Sequence, residues 1–140
     1  MLPLLGCHRI PQITELVYDA IVDEATAAEF YGRLLQEAPN DLHREFIRDA
    51  MEDELNHLQK FTTLYCYLTG YMPQYVITPI VYPNYKEGIL MALKDELDAA
   101  SFYRDVQLST TDLFVRDTFY YAMVEELEHA TRFSTLYNTL

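Results

Sequence analysis

At 140 residues the chain has the size of one domain, and with 50% apolar and 23% charged residues it has the make-up of a folded globular protein. Asp and Glu outnumber Lys and Arg by 22 to 10, and the resulting charge of −12 repels a phosphate backbone, which argues against nucleic acid as a partner. No apolar run reaches the roughly 18–20 residues that cross a bilayer, and Met1-Leu2-Pro3-Leu4-Leu5-Gly6 lacks the basic start and apolar length of a signal peptide, so the expectation is a cytoplasmic protein with no membrane segment.

In chain order, apolar residues recur at three- and four-residue intervals through about 13–37, 41–68, 85–109 and 112–139, which predicts four helices. Asn40 or Asp41 can cap the second, Asn84 with Glu87 makes a box-like start for the third, and Thr110 or Thr111 can cap the fourth. The first and third joints are short, so the helices they connect must run antiparallel. Between the second and third lies a longer stretch, 69–84, where Pro73, Pro79 and Pro83 forbid a continuous helix. That length lets the chain return along the bundle as a single long crossover. The expectation is one domain over 1–140, an all-α antiparallel four-helix bundle.

Cys7 and Cys66 are too few for a disulfide framework or a four-thiolate site, and both are expected to be free thiols. His43 should be a surface or bundle-end residue, His8 has no inferable role, and the crossover tyrosines Tyr71, Tyr75, Tyr82 and Tyr85 should cover the bundle or a subunit interface. Phe30, Phe61, Phe102 and Phe133 should belong to the core.

Shifted by 72 positions, the chain comes into register with itself. Asp23-Glu24-x-x-Ala27-Ala28-x-Phe30-Tyr31 falls on Asp95-Glu96-x-x-Ala99-Ala100-x-Phe102-Tyr103, and Ala50-Met51-x-x-Glu54-Leu55-x-His57 falls on Ala122-Met123-x-x-Glu126-Leu127-x-His129. Two copies suggest two helical hairpins about a pseudo-twofold axis. Residues three apart share a helix face, so Glu54 points with His57 and Glu126 with His129. With Glu24 and Glu96 facing them from the other helices, four carboxylates and two imidazoles converge. Buried without counter-charge they would take up protons or bind cations, and two divalent ions balance four ionised glutamates. Mixed carboxylate and imidazole ligation suits iron or manganese better than calcium. Asp53 and Glu125 stand as alternatives to Glu54 and Glu126, whereas Glu52, Glu128 and Asp98 read as solvent-facing charge or partners for the histidines. The alanines leave room for ions and a small ligand, and Tyr31 and Tyr103, two turns beyond their glutamates, could reach a ligand carboxylate or a bound oxygen species.

On these residues the chain resembles the rubrerythrin-like branch of the ferritin-like di-iron carboxylate superfamily over 13–139. The resemblance implies Glu24, Glu54, His57, Glu96, Glu126 and His129 as ligands of two iron ions, Glu54 and Glu126 as bridges, and Tyr31 as a site tyrosine with Tyr103 its counterpart in the second half. Full rubrerythrins carry a further glutamate where this chain has Ala99, and a four-cysteine rubredoxin-like domain that has no counterpart here. The expectation is therefore a di-iron oxidoreductase that reduces hydrogen peroxide or dioxygen with electrons from an external donor protein, working as a homodimer or higher homo-oligomer. Ferroxidase iron handling, a di-manganese centre, and a non-catalytic metal-stabilised bundle are the competing readings.

Overall fold

Four helices account for most of residues 12–140, the part that this computed structural model describes. They run Ile13–Glu37 (α1), Asp41–Thr69 (α2), Tyr85–Leu108 (α3) and Leu113–Asn138 (α4), each end within one residue of the expected bounds. The expectations for Cys7 and His8 fall outside the described residues.

The helix ends follow from side-chain chemistry. The Asn40 side chain accepts from the His43 backbone N–H and that of Asn84 from the Glu87 N–H, each satisfying a donor that the first turn leaves free. The fourth helix corrects the expectation: Asp112, not Thr110 or Thr111, caps it by accepting from Val115 N–H at 3.0 Å. Thr110 instead accepts from the Asp112 N–H, one step before the cap. α2 closes on Gly70, whose left-handed φ of 77° lets its N–H reach the Cys66 carbonyl.

α1 packs chiefly on α2 and α3 on α4, giving two antiparallel hairpins, while α2 lies against α4 more extensively than α1 against α3. The crossover returns along the bundle as expected. Tyr18 near the start of α1 donates to the Gln74 carbonyl, and Tyr82 packs at a tilt against Phe30 and under Arg33 near its end. Tyr75, Tyr82 and Tyr85 pack against the core, whereas Tyr71 is exposed. Of the two places expected for His43 the structure shows the bundle end and not the surface: it is buried, its ring bridging Tyr85 Oη at 2.6 Å and Thr139 Oγ1 at 2.8 Å. It thereby ties the starts of α2 and α3 to the end of α4. Cys66 is a free thiol whose Sγ lies 3.3 Å from Met72 Sδ. Among the described residues no helix is long and apolar enough to cross a membrane.

The core is split. One apolar cluster gathers Val17, Ile21, Phe61, Leu64, Val115 and Phe119; the other gathers Phe30, Leu34, Ile47, Ile89, Phe133 and Leu136. Between them lies a layer of buried polar residues, Glu24, Glu54, His57, Glu96, Glu126 and His129. Phe102, expected in the core, lies at its edge and packs against the first cluster from a half-buried position.

Asn84→Ala should cost about 1 kcal/mol through the lost cap, and Phe61→Ala about 3–5 kcal/mol through the cavity left beside Phe119 and Tyr103. Urea unfolding followed by circular dichroism would check both values.

Candidate metal centre

Each of the six converging residues lies on its helix where the core stripe crosses mid-bundle, so folding the hairpins together turns all six inward. Their burial is nearly complete, at 0–2% exposed. Donor atoms fall into two quartets, Glu24, Glu54, His57 and Glu126, and Glu54, Glu96, Glu126 and His129, each drawing together within 4.8 Å. Glu54 and Glu126 belong to both. The two imidazole rings stack at 6.2 Å between centroids.

Two layers of support hold these groups, and every one crosses between the hairpins. The Tyr31 hydroxyl on α1 donates to Glu96 on α3, and the Tyr103 hydroxyl on α3 donates to Glu24 on α1. On the opposite side, His57 Nε2 lies 2.8 Å from Glu125 Oε2 and His129 Nε2 lies 2.9 Å from Asp53 Oδ2. An imidazole whose Nε2–H donates outward presents its Nδ1 lone pair to the centre. Asp53 and Glu125 therefore back the histidines instead of taking the place of Glu54 and Glu126. Glu52 and Glu128 face solvent and Asp98 lines a cavity mouth. The spacing that could have identified the backing pair is present, since Asp53 and Glu125 occupy equivalent positions in the two halves. Their pairing with the opposite hairpin's histidine is not a property of either helix alone.

What remains is a set of inward atoms with nothing to bond. Glu24 Oε2, Glu54 Oε1, Glu96 Oε2, Glu126 Oε1 and both histidine Nδ1 atoms are buried and lack a hydrogen-bond partner. The Nδ1 atoms approach carboxylate oxygens, His129 to Glu54 at 3.0 Å and His57 to Glu126 at 3.2 Å, but without hydrogen-bond alignment. Six orphaned ligand atoms, four carboxylate oxygens and two imidazole nitrogens, converging in mid-bundle fit a pair of divalent cations.

The electrostatics agree. Burial, reinforced by the neighbouring carboxylates, pushes Glu54 and Glu126 well above the ordinary carboxylate range. Burial alone would lower the histidines, yet the surrounding carboxylates outweigh it and raise His57 to about 11 and His129 in the same direction. Glu24 goes the other way: hydrogen bonds and the His57 charge outweigh its burial and lower it. Burial and nearby carboxylates keep Tyr31 and Tyr103 protonated, so they remain donors.

A cavity of about 340 Å³ opens onto this centre between α1 and α3, beneath Ile80 of the crossover. Ala27, Ala99 and Phe102 line its walls, and Asp23, Asp95 and Asp98 its mouth. Partial burial, then the charges of Asp19, Glu24 and Asp95, lift Asp23 to about 6.

In the metal-free chain Glu54, Glu126, His57 and His129 hold protons more tightly folded than unfolded. The stability this provides is fully present below their ordinary values and is lost as pH rises toward the folded ones. At the centre Glu24 opposes this, and away from it the lowered His43 and Asp41 do. The urea midpoint of metal-stripped protein should therefore fall between about pH 5 and pH 9, and saturating divalent metal should abolish that fall by replacing the protons. A metal-free midpoint that climbs through this window would show that the carboxylates are not crowded.

No family model matches the sequence. The Bacillus subtilis (strain 168) protein YhjR is 32% identical over 125 residues, covering 88% of this chain and 85% of its own length. Among solved structures, a hypothetical protein from Pyrococcus furiosus superposes with a TM-score of 0.78 at 24% identity, over 91% of this chain and 89% of that one. The bacterioferritin of Rhodobacter capsulatus, solved with a metal-free dinuclear site and a heme iron, gives 0.77 at 20% identity over 91% and 84%. A dodecameric thioferritin from Bacteroides fragilis gives 0.77 at 15% identity over 91% and 84%. The four helices with their long crossover are thus a ferritin-like bundle, and the chain belongs to the family of Bacillus subtilis YhjR.

Proposed function

We propose that the protein is a di-iron carboxylate oxidoreductase of rubrerythrin-like type, reducing hydrogen peroxide or dioxygen with electrons from an external donor protein. The observation that carries this reading is the set of six buried, unpartnered donor atoms converging beside a cavity. In it Glu24, Glu54, His57, Glu96, Glu126 and His129 would hold the iron ions; manganese would fit the same donors. Two ferrous ions bound there would supply the two electrons that a peroxide bond takes up.

The chain's own residues prepare that chemistry. Tyr31 and Tyr103 hold the outer carboxylates in place and keep a protonated O–H beside the site, which is the role this reading gives them as catalytic residues. Asp53 and Glu125 fix the imidazole rings and raise their basicity. Small side chains at Ala27 and Ala99 leave passage for an oxidant, while Ile80 and Phe102 limit water. A second reading, ferroxidase iron handling, is favoured by one specific feature: the carboxylates of Asp23, Asp95 and Asp98 at the mouth would attract a cation.

Elemental analysis of protein purified without added metal should find two iron ions per chain, and Glu54→Ala or His129→Ala should bring this below two. Full occupancy and activity in both variants would refute the ligand assignment. Asp53→Asn or Glu125→Gln should weaken metal binding by about 10–100-fold. The absorption spectrum of the reduced protein should change on adding peroxide and return with donor. Turnover only while ferrous iron is consumed would mark a ferroxidase, and no redox change a structural metal.

A further inference from the structure

The cavity beside the metal centre is larger than hydrogen peroxide requires. Its volume of about 340 Å³ is more than ten times the ~30 Å³ that one water takes up, whereas hydrogen peroxide has only two non-hydrogen atoms. It falls at the small end of the roughly 300–1,000 Å³ range of sites that hold organic molecules. Loose packing of α1 against α3 leaves it open. Ala27 on α1 and Ala99 on α3, equivalent positions of the repeat, keep the two facing walls from filling it.

The lining changes character from the inside out. Buried glutamates, Glu24, Glu54, Glu96 and Glu126, form the inner end, where the Tyr31 and Tyr103 hydroxyls are already engaged with Glu96 and Glu24. The walls are Ala27, Ala99, Phe102 and Ile80, which give water few partners and favour an apolar body. At the mouth the exposed carboxylates of Asp23, Asp95 and Asp98 repel an anion before it enters. A cation would be drawn to that rim, but the apolar walls behind it offer a cation no ligand. Size, wall chemistry and charge together select a small, uncharged molecule with an apolar body.

We propose that the preferred oxidant is a small uncharged organic hydroperoxide, ROOH, held with its alkyl group against Ala27, Ala99, Phe102 and Ile80 and its O–O group toward the glutamates. This names the substrate class of the function proposed above and rests on it for the redox chemistry, whereas the binding of an apolar guest rests on the cavity alone. ROOH, two electrons and two protons give ROH and one water. The O–O bond breaks, the electrons come from the reduced metal pair and are restored by the external donor protein, and the protons come from solvent. Each CH₂-sized group of R buried against these walls strengthens binding about fourfold, a gain that hydrogen peroxide cannot draw on.

The test has a binding arm and a turnover arm, both on the full chain. In the first, zinc-loaded protein is titrated with tert-butanol and with pivalate, a carboxylate of similar shape, while the alanine methyl signals are followed by NMR. tert-Butanol should shift the Ala27 and Ala99 signals, and pivalate should bind at least tenfold more weakly. Ala99→Leu should weaken tert-butanol binding at least tenfold. In the second arm, iron-loaded protein is reduced with dithionite, freed of the excess and mixed with each peroxide. tert-Butyl hydroperoxide should oxidise it with a second-order rate constant at least tenfold that of hydrogen peroxide, and Ala99→Leu should cut this ratio at least tenfold. Should Ala99→Leu fold poorly, Ala27→Leu on the facing wall should give the same two losses. No shift at either alanine, pivalate binding as tightly as tert-butanol, faster oxidation by hydrogen peroxide, or a ratio that both wall variants leave unmoved would overturn this inference while the di-iron reading stands. Oxidation by neither peroxide would refute the di-iron reading and this inference with it.

Discussion

Four carboxylates and two imidazoles meet in the middle of a bundle with little water to screen them, and the rest of the structure is arranged around that cost. Moving a charged carboxylate out of water is expensive unless it is paired or neutralised. Here Glu24 and Glu96 each receive a tyrosine hydrogen bond, while the inward oxygens of all four glutamates stay unpartnered. Apolar clusters above and below supply the burial that holds this layer closed. Protons can relieve the repulsion, as the raised Glu54 and Glu126 show, but protons and metal ions compete for the same atoms. A chain that retains all six donors with their inward atoms free is built for cations.

The way the donors are held makes the centre a joint product of the hairpins. Tyr31 supports Glu96, Tyr103 supports Glu24, Glu125 supports His57 and Asp53 supports His129, each bond running from one half to the other. Neither hairpin can present a finished half-site alone. This crossing also explains why helix pairs with modest apolar contact, α1 with α3 above all, keep their register: polar bonds across the middle set it. The opening between α1 and α3 is the counterpart, since loose packing there leaves the cavity.

The halves differ where their tasks differ. Residues that touch the centre are repeated, Glu for Glu, His for His, Tyr for Tyr, so both halves offer it the same donors. Tyr121, set edge-on to His57, stands where the other half has Asp49, so the two histidines meet different outer surroundings. Surface positions differ further: Leu97, Leu108, Leu113, Tyr120 and Val124 stand where the other half has Ala25, Gln36, Asp41, Arg48 and Glu52.

Much of this was legible in the chain itself, because helical periodicity and a 72-residue repeat are local or linear patterns. They yielded four helices to within a residue, the antiparallel order, the crossover and the convergence of Glu24, Glu54, His57, Glu96, Glu126 and His129. Pairings between helices were not legible. That Asp53 backs His129 and Glu125 backs His57, that each tyrosine bonds the other half's glutamate, that His43 is buried against Tyr85 and Thr139, and that Phe102 lines a cavity all depend on how one helix is rotated against another. Spacing along a helix decides which residues share a face. Only packing between helices decides what that face meets, because the rotation is settled by side-chain contacts among residues far apart in the chain.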